Sequence, residues 1–283
     1  MNYNTLKTRS FLNKNHNQPS INSDLLIDIL QICYKTCSFS TLPYFLYSYN
    51  SRQAINKTNS GNCIALSMFI QNYLKTHYNI ISYLIPCTIP NMYKRNKYLD
   101  ISHVSLAVPK NNIEIYILDP AFYFYEPILI NIMDLNTSQF ITSVNIYSDK
   151  ITPVISNTKQ TDNIIKYNPY QKIEKDVYYS ECNYINSNVD KWCYYLTEIL
   201  NPDEAISSFF LQVIRPFITT TRLENDLCKI DLYLKYITDN IIEIKINDKP
   251  FYYGNPHAIS NIQFDIIRNS MKGFYDSRIF EYH

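Results

Sequence analysis

Three features of this 283-residue sequence predict an α+β fold. Apolar residues recur at helical spacing before residue 79, short strand-like runs fill the middle, and a hairpin followed by a helix closes the chain. With 46% hydrophobic residues, the chain can bury a sizeable core.

Residues 1–20 are polar and read as a flexible N-terminal arm. Residues 21–78 read as a helical domain. Ser23 is the expected N-cap of a helix that buries Leu25, Leu26, Ile29, Leu30, Cys33 and Cys37. Ser40 to Tyr49 is aromatic and interrupted by Pro43, and Asn50 to Ser60 reads as a polar link. A second helix opens near Cys63, with Leu66, Phe69, Ile70, Tyr73 and Leu74 as its apolar stripe.

Residues 79–200 read as a β-rich domain. After a short apolar run, Ile80 to Ile85, come two strands, Ile101 to Val108 and Ile113 to Leu118. They flank Pro109-Lys110-Asn111-Asn112, a hairpin signal. With Lys110 to Asn112 as the loop, Pro109 pairs with Ile113 and His103 lies directly opposite Asp119, on one face. Short strands are expected from 128 to 185, and Asp190 to Leu200 carries the single tryptophan, Trp192. Residues 201–283 read as a closing α/β part. It has a strand region at Ser207 to Ile218 and a hairpin, Ile230 to Tyr236 and Ile241 to Ile246, turning at Asp239-Asn240. A helix around Ile259 to Met271 stops at Gly273.

Composition excludes several functions. The three glycines, Gly61, Gly254 and Gly273, stand alone, so no Walker phosphate loop or dinucleotide-binding fingerprint can be written. There is no nucleophile-elbow serine motif. A net charge of +1 with 18% charged residues advertises neither nucleic acid nor a membrane surface. Seven scattered cysteines lack zinc-site spacing, and the polar N-terminus has no signal-peptide core. The expectation is a cytoplasmic protein with free thiols, no metal, and no nucleic-acid or membrane partner.

Cys63 falls in the first turn of its helix, on the buried face, two residues after Gly61. The free amides and partial positive charge of a helix N-terminus favour a thiolate, the nucleophilic form of cysteine. Cys63, His103 and Asp119 then supply a nucleophile, a general base and acid, and an orienter for the imidazole. Amides at the helix start, that of Cys63 included, are placed to receive an oxyanion. A Cys/His/Asp trio drawn from any sequence is more often packing than chemistry. Here the helix-terminal cysteine, Gly61 and the hairpin pairing together favour a site.

These features resemble the arylamine N-acetyltransferase family: Cys63 opening a helix, His103 in His-Val-Ser-Leu-Ala-Val, and Asp119 closing Ile-Tyr-Ile-Leu-Asp-Pro-Ala-Phe. The separations are close to those of that family and shorter than in animal transglutaminases, whose triad runs in the same order. The resemblance covers roughly residues 24 to 124. It implies a cysteine-proteinase-like architecture: a helical bundle carrying the nucleophile, a central antiparallel β-barrel-like domain holding His and Asp, and a C-terminal α/β lid. It also implies ping-pong transfer of an acetyl group from acetyl-CoA to an aromatic amine or hydrazine through an acetyl-cysteine.

The chain departs from the family around both motifs. Arg-Gly-Gly-x-Cys-Phe/Tyr-Glu becomes Asn59-Ser60-Gly61-Asn62-Cys63-Ile64-Ala65, and Asp-x-Gly-Phe-Gly becomes Asp119-Pro120-Ala121-Phe122-Tyr123. Pro43 alone stands for Pro-Phe-Glu-Asn. The Asp119-Pro120 pair is closer to transglutaminase-like domains. Transglutaminase-like, amidase or peptidase action therefore stays open, as does a binding protein that kept the fold without activity. Lys94, Arg95 and Lys97 are candidates for the coenzyme-A phosphates. Tyr44, Phe45, Phe122 and Tyr123 are candidates for the acceptor pocket. A solvated loop and an aromatic core are the plainer readings of these two groups.

Overall fold

A computed structural model describes residues 19–89, 102–124, 126–131, 139–142, 157–159, 177–183, 189–196, 199–200, 215–224, 227–272 and 280. Helix α1, Ser23–Thr36, is capped one residue earlier than expected: Asn22 accepts from the Leu25 amide, 3.0 Å. Strand β1, Ser38–Ser40, leads into α2, Leu42–Tyr47, which has Pro43 in its first turn and ends at left-handed Ser48.

The stretch read as a polar link is itself a helix, α3, Ser51–Thr58. Asn50 and Gln53 form a reciprocal capping box at its start. It buries only Ser51, Ala54, Ile55 and Thr58, too few apolar positions to show a period. Left-handed Asn59 ends α3, strand β2 (Ser60–Gly61) runs parallel to β1, and α4 follows over Cys63–Tyr78.

Helix α4 places Leu66, Ile70 and Leu74 in one core with Leu26, Ile29 and Leu30 of α1. Each such side chain, fully buried, contributes about 1.5–3 kcal/mol. Phe69 and Tyr73 lie at the edge of that core, partly buried.

The strands β3 (Tyr83–Cys87), β4 (His103–Pro109), β5 (Glu114–Leu118), β6 (Ile128–Asn131), β7 (Gln139–Thr142), β8 (Asn157–Lys159), β9 (Val177–Asn183) and β10 (Val189–Tyr195) form an eight-stranded sheet. Its order is β6-β5-β4-β3-β10-β9-β7-β8, and it curls into half a barrel. Among the described residues of this sheet, only the β7–β9 pair is parallel. Alternate residues of β3, β4 and β5, among them Leu84, Leu106 and Leu118, join the core of α1 and α4.

A second sheet takes β11 (Phe217–Glu224), β12 (Leu227–Thr238), β13 (Ile241–Ile246) and β14 (Lys249–Gly254). The expected hairpin is there, turning at residues 239–240. Of the strand region expected at Ser207 to Ile218, residues 207–214 lie outside the described residues, and β11 begins at Phe217. The order β14-β13-β12-β11-β1-β2 joins this sheet to the two short strands of the N-terminal part. Helix α5, Asn261–Ser270, is capped by Ser260 and Gln263 and packs on β12; its expected stop, Gly273, lies outside the described residues. Among the described residues, no helix is long and apolar enough to cross a membrane.

Candidate active site

Cys63 is the first residue of α4 and is 8% exposed. Its neighbour Asn62 is the N-cap, with the side chain accepting from the Ala65 amide at 3.2 Å. His103 opens β4 and Asp119 follows β5. The His103 Nε2 to Asp119 Oδ2 distance is 2.8 Å, with both side chains buried. Cys63 lies close enough to His103 for its side chain and charge to act on the imidazole. The three sequence-predicted residues are therefore together, in the order thiol, imidazole, carboxylate.

The hairpin that joins His103 to Asp119 has a different register from the expected one. Pro109 pairs with Ile115, not Ile113, and Leu106 with Leu118. Asn111 is the cause: its side chain accepts from the Ile113 and Glu114 amides, and the Lys110 and Asn111 amides reach the Glu114 carbonyl. This local ring keeps Ile113 in the loop. The shift is two residues, so the side chains keep their faces. Asp119 ends up diagonal to His103 and still within hydrogen-bond reach.

Tyr194, which the sequence did not single out, completes the constellation. Its hydroxyl donates to Asp119 Oδ2 at 2.7 Å. Tyr194 lies opposite Cys87, and Cys87 opposite His103, so the three occupy one row across β10, β3 and β4. Cross-strand neighbours of this kind project from the same face. Asp119 Oδ1 has no partner among the described residues, so Oδ2 carries both bonds.

Charge is concentrated in this buried space. Burial, the largest influence on His103, works against its protonation. The charge and hydrogen bond of Asp119, then the hydrogen bond and charge of Cys63, outweigh it and push the His103 pKa up to about 10. The neighbouring Cys87 thiol is pushed well up by burial first and then by the charges of Asp119 and Cys63, so it stays protonated and inert.

The four aromatic candidates have different roles. Phe122 packs edge-on against the His103 ring, 4.8 Å between centroids. Tyr44 is buried beneath the loop before Cys63, where its hydroxyl accepts from the Asn62 amide at 3.0 Å. Tyr123 donates to the Thr219 carbonyl and packs on Tyr34. Phe45 is half-buried in α2. Lys94, Arg95 and Lys97 lie outside the described residues. A groove of about 640 Å³ between α3 and α4, bounded by Arg52, Phe69, Lys75 and Ser82, includes none of these site candidates. No group of acidic, histidine and cysteine side chains fit to hold a metal occurs among the described residues.

Helices packed on a curled sheet, with Cys63, His103 and Asp119 brought together where they meet, make an α+β architecture. More narrowly, the chain has the fold of the arylamine N-acetyltransferases. It is similar to the Bacillus cereus enzyme described as having a Cys-His-Glu triad, at 14% identity over 92% of this chain and 94% of that one, TM-score 0.54. The Salmonella typhimurium arylamine N-acetyltransferase matches at 9% identity over 94% and 89% of the two chains, TM-score 0.54. A cysteine-to-glutamine variant of the Mycobacterium smegmatis enzyme matches at 10% identity over 90% and 88%, TM-score 0.52. No family model and no curated protein sequence matches the chain.

Proposed function

We propose that the protein is a thiol acyltransferase, acting like an arylamine N-acetyltransferase, with Cys63 as nucleophile, His103 as general base and acid, and Asp119 as orienter. The observation that carries this reading is the buried His103–Asp119 pair at 2.8 Å, with Cys63 at the start of α4 close enough to act on the imidazole. Asp119, itself held by the Tyr194 hydroxyl, takes the imidazole by Nε2, which leaves Nδ1 to serve the thiol.

The Cys63 sulfur attacks the carbonyl carbon of an acetyl thioester while His103, whose pKa stands at about 10, holds the proton. Amides at the start of α4 receive the oxyanion. Collapse breaks the carbon–sulfur bond to the donor, and the departing thiolate takes the proton from His103 as free coenzyme A. An amine then attacks the acetyl-cysteine and gives its proton to His103. The Cys63 sulfur is expelled as the carbon–sulfur bond breaks, His103 keeps the proton taken from the amine, and the amide product departs. In this reading residues 21–78 supply the nucleophile, 79–200 the base and orienter, and 201–283 the lid. Lys94, Arg95 and Lys97 meet the coenzyme-A phosphates. Phe122, against the imidazole, lines the acceptor's approach.

Mass spectrometry after incubation with acetyl-CoA or p-nitrophenyl acetate tests the reading. An acetyl adduct is expected on the wild-type chain and not on Cys63→Ser. The reading fails if no adduct forms and iodoacetamide alkylates Cys63 no faster than the other thiols. Adducts from amide or glutaminyl substrates alone would replace it with a transglutaminase-like activity.

A further inference from the structure

Resting on the proposed role of Cys63, we infer that Tyr44, Ser51 and Asn62 form an uncharged positioning ring that aims the nucleophile at His103. The four bonds close on the residue before the cysteine. The Asn62 amide donates to Tyr44 Oη at 3.0 Å. Tyr44 Oη and Ser51 Oγ are 3.0 Å apart. Ser51 Oγ donates to Asn62 Oδ1, also at 3.0 Å. Asn62 Oδ1 accepts as well from the Ala65 amide inside α4, at 3.2 Å.

The proton count fixes the direction of every bond. A serine hydroxyl has one proton, and that of Ser51 goes to Asn62 Oδ1. The Tyr44 phenol is therefore the donor to Ser51, while its oxygen accepts from Asn62. Each donor in the ring has an acceptor, so the circuit has a single arrangement. Such a satisfied buried network specifies one geometry rather than several.

The ring also ties three elements at one point: α2 through Tyr44, α3 through Ser51, and α4 through Asn62. Cys63 is the next residue, so any rotation of the Asn62 peptide moves the sulfur relative to His103, which stands on a separate strand. Gly61 belongs to the same device. A Cβ there would lie 2.9 Å from Tyr44 Oη and 2.4 Å from Ala65 Cβ, so only glycine lets the phenol reach the Asn62 amide. The phenol stays protonated at any working pH, because burial raises its pKa far above the usual value. The chain has Asn59 and Ala65 where the family it resembles has an arginine and a glutamate. The loop before Cys63 is thus held by neutral hydrogen bonds.

The test is the rate at which iodoacetamide alkylates each cysteine in the full chain, read by peptide mass spectrometry. Tyr44→Phe removes one hydroxyl and opens the ring at two bonds. Cys63 is expected to react about tenfold more slowly, the scale of one or two lost hydrogen bonds. Cys33 and Cys37, buried in the same helical part, are expected to stay masked. With p-nitrophenyl acetate, kcat is expected to fall and KM to hold. Ser51→Ala breaks the ring at a smaller residue, is expected to act alike, and serves if Tyr44→Phe does not fold. Wild-type rates at Cys63 in both variants overturn the ring and leave the proposed function standing. Unmasking of Cys33 and Cys37 along with slower Cys63 also overturns it, since loose packing then explains the loss. If wild-type Cys63 is itself no faster than the other thiols, the proposed function falls instead.

Discussion

Replacing Tyr194 with Phe removes one oxygen and nothing else from the array. In the intact protein, Asp119 is fully buried and places Oδ2 against two donors, His103 Nε2 at 2.8 Å and Tyr194 Oη at 2.7 Å. Oδ1 has no partner among the described residues, so the phenol is one of two groups that solvate this carboxylate. A hydrogen bond to a charged group is worth about 1.5–3 kcal/mol. For a chain of this size class that is a fall in Tm of ~3–12 °C. Urea denaturation of Tyr194→Phe, Asp119→Ala and the double variant measures the coupling directly. The tyrosine substitution is expected to cost its full amount in the wild-type background and less than about 0.5 kcal/mol once Asp119 is gone. An equal cost in both backgrounds would show that Tyr194 acts through packing alone, and the carboxylate argument would be refuted.

Two further outcomes follow from the same site. His103 holds its proton to about pH 10 when folded, against a reference of 6.5. The stability it contributes is therefore complete below pH 6.5 and is lost progressively as pH rises toward 10. Urea midpoints of the wild type should fall over that range more steeply than those of His103→Gln, and parallel profiles would contradict the assignment. Gly61→Ala should destabilise the chain by about 1–3 kcal/mol, the usual cost of forcing a methyl into filled space, since its Cβ would meet Ala65 at 2.4 Å. An unchanged Tm on thermal denaturation would show that the loop yields.

Local pattern carried some parts of this structure and not others. Helix α4 was legible because its apolar residues repeat at the helical period and face a core that needs them. The faces of the His103 hairpin were legible because strand alternation survives a two-residue slip. The register itself was not, because Asn111 decides it with one side-chain amide. Helix α3 is not legible for a related reason: it is held by its cap and by docking, with little apolar stripe to read. Tyr194 reaches Asp119 across 75 residues of sequence, a distance over which no local pattern operates. Tyr44 was legible as an aromatic near the site. Its hydroxyl bonds to Asn62 and Ser51 emerge only once α2 and α3 are packed.

Strand β1 gives the chain an order of assembly in time. It is three residues long, with β2 on one side and β11 on the other. Ser40 bonds to Phe217 across 177 positions, and Thr41 joins the same carbonyl and amide. At a synthesis rate of about 5–20 residues per second, β11 arrives roughly 9–35 s after β1. Throughout that interval β1 presents an unpaired edge, the kind of surface that recruits other strands. The end of the chain that carries Cys63 is made first and closed last. A ribosome stalled before residue 217 would hold a chain with its thiol in place and its frame still open.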